Sequence, residues 1–259
     1  GARTEVPELV GRARPDLVLI NDDDLTFTKI RLDERSLRTL VEGAGEIRES
    51  LPRALAFSAA WDMTRDGEMA ARDYVALVAS GISGVNDVTV AQTLLRQASG
   101  ALFNYADPAW RPFGFELLAD RLSELLSAAE PGGDLQLAYV NALADAAVTD
   151  AHLSLLRGLL DGAITVDGLE VDTDLRWTLL RRLVAAGKAG EAEIAAELEA
   201  DPTAAGQRNA AGARAAIPTA EAKETAWERI VGGDLANAEF RATLLGFTEP
   251  RQAELYRPY

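Results

Sequence analysis

The sequence predicts an all-α protein, an array of antiparallel helix pairs with a short β-hairpin in front of it. Three observations predict this. Apolar stripes at helical spacing recur from Ala54 to Ile230. Short breaks with Gly, Pro and Asp separate them. Before residue 34 the pattern is different, with β-branched and aromatic residues alternating at period two.

That first segment is Pro15 to Asp33, PDLVLINDDDLTFTKIRLD. Leu17 to Ile20 and Thr26 to Leu32 are rich in strand-forming residues. Asn21, Asp22, Asp23 and Asp24 between them are turn formers. Thr26, Thr28 and Ile30 alternate with Phe27, Lys29 and Arg31, as in a half-buried strand. A hairpin alone is marginal in water. Its place at the edge of a helical protein implies that more sheet lies upstream and that the chain is a piece of a larger protein.

The helical stripes follow in order. Ala54, Phe57 and Trp61 share one face, as do Leu118, Leu122 and Leu125. Leu153, Leu156 and Leu160 form the next, then Leu175, Leu179 and Leu183, and a weaker stripe joins Ala222, Ala226 and Ile230. Stop and start signals stand at Asp66-Gly67, Asp107-Pro108, Pro131-Gly132-Gly133, Asp161-Gly162, Asp201-Pro202, Ile217-Pro218 and Gly232-Gly233. Asp134, Asp150 and Asp172 are the expected N-caps. The run Ala163 to Val171 reads equally as a brief extended stretch or a structured loop. Short links between roughly a dozen helices make neighbours antiparallel, and a long succession of pairs points to an α-solenoid. No strict repeat of letters occurs, so an irregular bundle is the alternative.

Composition removes several function classes. The chain has 259 residues, with 26 Lys and Arg against 41 Asp and Glu, a formal charge of −15. That balance opposes general binding to nucleic-acid phosphates. No segment reads as a membrane span. The absence of cysteine excludes disulfides and thiolate metal sites and, with no secretory leader in the sequence, fits a cytoplasmic protein.

The search for chemistry identifies no catalytic, cofactor or metal residue. The one His, His152, lacks a second His four residues away and reads as a surface or packing residue. No G-x-S-x-G elbow, P-loop or G-x-G-x-x-G occurs. Asp22, Asp23 and Asp24 fail the calcium-loop test, which spreads ligands over about twelve residues with a central Gly and a terminal Glu, so they read as a turn. Arg176, Arg181 and Arg182 have two readings. Arg176 pairs with Asp172 four residues before it, or one or more of the three face a cavity and hold a peptide carboxylate. Trp61, Trp110, Trp177 and Trp227 are spread apart and read as packing anchors.

Five stretches carry a family resemblance: PDLVLINDDDLTFTKIRLDERSL at 15–37, RALAFSAAWDMTRDGEM with DYVALV at 53–78, GLEVDTDLRWTLLRRL at 168–183, AKETAWERI at 222–230 and GFTEPRQAELYRPY at 246–259. Together they resemble the C-terminal part of the actinobacterial aminopeptidase N family, zinc gluzincin aminopeptidases. The resemblance implies that residues 1–33 are the last strands of a β-sandwich domain and 34–259 a C-terminal domain of HEAT-like helix pairs. Chains of the family continue past the segment that ELYRPY resembles, so Tyr259 is expected to be an interior position. The family's H-E-x-x-H helix, third zinc ligand and G-x-M-E-N loop are not in this sequence, so no catalytic residue carries over.

The expectation is therefore a non-catalytic domain, inactive alone, of a zinc aminopeptidase that trims peptides from the N-terminus. It would enclose the active-site chamber and control peptide access. Its partners would be the catalytic and sandwich domains of the same polypeptide, and cut surfaces would favour self-association. The alternative is a free-standing helical scaffold that binds a protein partner.

Overall fold

The computed structural model describes residues 4–259. Thirteen α-helices occur among the described residues and no strand. In order they are α1 Glu34–Gly43, α2 Ser50–Arg65, α3 Ala71–Gly81, α4 Val88–Asn104, α5 Arg111–Ala128, α6 Asp134–Ala146, α7 Asp150–Leu160, α8 Thr173–Ala185, α9 Glu191–Ala200, α10 Ala204–Ala215, α11 Ala220–Gly232, α12 Asn237–Phe247 and α13 Ala253–Tyr256.

Side chains at the helix starts explain several boundaries. Asp33 accepts from the backbone N–H of Arg35 and Ser36, and Asp87 from that of Val90. Thr203 and Thr219 cap α10 and α11 in the same way. Asp172 caps α8 as its sequence position predicts, through Leu175 N–H. Asp134 and Asp150 are each one residue inside the helix instead. Gly133 precedes α6, and the Thr149 hydroxyl caps α7 by accepting from His152 N–H. Both carboxylates then lie in the first turn, where the helix dipole favours negative charge.

The helices pack as successive pairs, α3 on α4, α5 on α6, α7 on α8, α9 on α10 and α11 on α12. The even-numbered helices α2 to α12 also touch one another in sequence and form a continuous row. This arrangement is consistent with an α-solenoid. The stripe residues Leu118, Leu122, Leu125, Leu153, Leu156, Leu160, Leu175, Leu179 and Leu183 all lie in one core that runs from Ile30 to Ala213. α10 and α12 approach most closely at two glycines. A Cβ placed on Gly246 would stand 2.0 Å from the Gly212 carbonyl oxygen.

The hairpin is corrected. The turn exists, but its arms do not pair. Asn21, Asp23 and Asp24 all have positive φ, and the Asn21 side chain closes the turn by bonding both the N–H and the C=O of Thr26 at 2.9 Å. Helices then take the partners that a second strand would have taken. Val18 N–H donates to Ser36 Oγ, Thr39 Oγ1 donates to the Asp16 carbonyl, and Lys29 and Arg31 both pair with Asp66. Ile30 and Leu32 enter the helical core. Val18, Ile20, Leu25 and Phe27 stay exposed. The run 163–171 forms turns rather than a strand, with Ile164 packed against Gly158 and Gly168 against Pro131.

Candidate functional site

Two clefts open on the even row. One, of about 520 Å³, lies between α4 and α6 and is lined by Gln92, Arg96, Leu137, Asn141 and Asp145 among others. The second, of about 340 Å³, lies between α8, α10 and α12. Its walls include Thr178 and Arg181 of α8, Arg208 and Asn209 of α10, and Ala242 and Leu245 of α12.

The three arginines singled out in the sequence have three different fates. Arg176 does not pair with Asp172, whose Oδ1 is engaged at the cap of α8. It forms a two-pronged pair with Glu197 of α9 at 2.8 and 2.7 Å and donates to the Leu160 carbonyl at 3.0 Å. The pair with Glu197 holds its guanidinium above the usual arginine range. Arg182 is buried, donates through Nε to the Ala147 carbonyl at 3.0 Å, and is lowered to about 10 by burial. Arg181 alone reaches a cleft. Its paired acid, Asp145, is 3.8 Å away and exposed.

Arg208, across the same cleft, was not identified from the sequence. It has no ion pair or hydrogen bond among the described residues. Arg181, paired with Asp145, and the unpaired Arg208 therefore flank one cleft, which Asp174 of α8 also lines, in a chain of net charge −15. Guanidinium groups suit carboxylate recognition because their N–H donors match its two oxygens.

The other residues singled out have packing partners. His152 is buried, and its Nε2 lies 2.8 Å from Asp120 Oδ1 of α5. Trp177 is buried at the junction of α8 and α9, where Nε1–H donates to Asp201 Oδ2 at 2.9 Å. Trp61 packs on Tyr74 and Tyr105, Trp110 on Phe113, and Trp227 on Phe247 and Tyr259. Asp23 and Asp24 are exposed turn residues.

Comparison with known proteins now adds to the geometry. The family described as the ERAP1-like C-terminal domain matches residues 17–259. The chain belongs to that family. Over 264 aligned positions it is 52% identical to an aminopeptidase N of Streptomyces lividans, an alignment that covers all of this chain and 30% of that protein. The chain is thus the C-terminal domain of an aminopeptidase N homologue and spans 30% of the length of the relative it matches. As an ERAP1-like C-terminal domain it meets the resemblance carried by the five stretches above.

The zinc that the family implies does not fit the residues here. The chain has no Cys and a single His, which is committed to Asp120, and no three His, Asp or Glu side chains converge among the described residues. No helix among them is long and apolar enough to cross a membrane.

Proposed function

We propose that this chain is the non-catalytic wall of a zinc-dependent aminopeptidase N that removes N-terminal residues from peptides. In this reading the even row faces the chamber in front of the catalytic domain and limits entry to peptides and unfolded ends. The helix pairs are of the HEAT-like kind, which offers one long face for such a role. Closing the space over a reacting bond also excludes bulk water. The parent's zinc activates water for hydrolysis, and its ligands belong to the catalytic domain, as does the residue preference.

The observation that carries the reading is the cleft with Arg181 and Arg208 on its two sides. A peptide whose N-terminus is held at a distant catalytic centre has a free carboxylate at its other end. The two guanidinium groups are suited to receive it. The proposal extends to residues 1–33, which in the longer protein lie against a β-sandwich domain. Val18, Ile20, Leu25 and Phe27 are then covered by that domain, and in the separate chain their exposure favours self-association. The compartment in this reading is the cytoplasm.

Two measurements test it. The coding sequence upstream of residue 1 should contain an H-E-x-x-H within several hundred residues. The chain alone should bind no stoichiometric zinc by elemental analysis and should not turn over an aminoacyl chromogenic substrate. One tightly held zinc per chain with turnover contradicts the proposal. An upstream sequence with no such motif favours the protein-binding scaffold instead.

A further inference from the structure

The last helix pair has a small core of its own. Ala226 of α11 and Phe247 of α12 pack with Ala215, surrounded by Trp227, Ile230, Leu244 and Tyr256. That cluster is separate from the main core, which ends at Ala213. Close backbone packing at Gly212 and Gly246 and the apolar contact with Ala215 join the pair to α10, and polar ties add to them.

Those ties lie along the C-terminal ends of the even row. Lys223 Nζ donates to the carbonyls of Ala215 and Gly246 at 2.7 and 2.9 Å. After α12 the chain turns back, and Gln252 Nε2 donates to the carbonyls of Ala185 at 2.9 Å and Ala216 at 2.8 Å, at the ends of α8 and α10. Arg251 reaches further. Its Nη2 donates to the Asp145 carbonyl of α6 at 2.5 Å, and its guanidinium carbon stands 5.1 Å from the ring centre of Phe103 on α4 and 4.4 Å from that of Phe115 on α5. Glu249 pairs with it at 3.2 Å. Residues 249–252 therefore touch the ends of four even helices and the start of α5. Helix C-termini carry partial negative charge and unpaired carbonyls, so a cation and an amide donor are well placed there.

We propose that residues 249–252 form a polar latch that holds α11 and α12 against the row and can open without unfolding the main core. A helix pair with an apolar cluster of its own, separate from the main core, can open as a local unit. Opening has a defined consequence. Ala242 and Leu245 of α12 line the same cleft as Arg181 of α8 and Arg208 of α10, so opening the latch would widen that cleft. This holds whatever the cleft binds.

Amide hydrogen exchange on the 259-residue chain, read by segment, tests the latch. In the unaltered chain, residues 220–259 should exchange through an opening that appears at lower denaturant than the opening of α3 to α8. Arg251→Ala combined with Gln252→Leu should speed exchange in 220–259 by about tenfold or more and leave α3 to α8 unchanged. Arg251→Lys keeps the charge but loses the planar fork, and should give a smaller rise in the same segment. Equal acceleration in α3 to α8 would overturn the proposal, as would no acceleration in 220–259. If the double variant does not fold, the lysine variant and the denaturant series decide, and one opening shared by all helices overturns it.

Discussion

The ammonium of Lys223 lies 2.9 Å from the carbonyl oxygen of Gly246, at the end of the helix that packs against its own. The same group reaches Ala215 at 2.7 Å, and the residue is fully buried. One side chain thus satisfies carbonyls at the ends of both α10 and α12. It has no carboxylate in direct contact among the described residues, and Glu249 acts on it only at longer range.

Burial lowers Lys223 from 10.5 to about 8. The sign follows from proton binding. Between about 8 and 10.5 the unfolded chain holds a proton on this amine that the folded chain has released, so stability rises with pH across that window. The neutral amine still has two N–H donors for its two carbonyls. Relative to a Lys223→Met variant, the unaltered chain should gain about 3 kcal/mol between pH 8 and 10.5. Denaturant titrations of both chains across that range check this. A stability difference that does not change with pH contradicts it.

Gly246→Ala should be among the most damaging single-methyl additions. The added Cβ would stand 2.0 Å from the Gly212 carbonyl oxygen, and backbone must move to admit it. The expected loss is about 3 kcal/mol or more, at the upper end for overpacking. Thermal or denaturant unfolding measures it. Gly190→Ala, where nothing lies within 4 Å, serves as a control.

Phe27 is exposed in this chain. Phe27→Ser should therefore change the stability of the chain by less than about 0.5 kcal/mol. In the longer protein, where the proposal puts this residue against a sandwich domain, the same change should cost about 3 kcal/mol. Equal effects in the two contexts would remove residues 1–33 from contact with any such domain.

The helices were legible because their signals are local. Leu118, Leu122 and Leu125 show their shared face in their spacing, and Asp172 shows its cap in its position. The first segment misled for a definite reason. Its period-two pattern holds only at the end, where Ile30 and Leu32 are buried and Arg31 is half-buried, while residues 26–29 are exposed. Alternation reports that one face is covered but not by what, and here helices cover it. Arg176 misled similarly. The spacing rule favoured Asp172, but that carboxylate caps its own helix, and Glu197 from the next helix took the guanidinium. Arg208, Arg251 and Gln252 left no local sign. Arg251 and the Asp145 carbonyl it meets are 106 residues apart, and Arg208 faces Arg181 only because α8 and α10 are neighbours in the row.

Peptide kinetics in the longer enzyme test the central claim most directly. Arg181→Gln combined with Arg208→Gln should raise KM about tenfold for peptides with a free C-terminal carboxylate, the loss of one charge-assisted contact. KM for the same peptides with an amidated C-terminus, and turnover of an aminoacyl chromogenic substrate, should stay unchanged. Equal changes for free and amidated peptides, or no change for either, would contradict the assignment of this cleft to the peptide carboxylate.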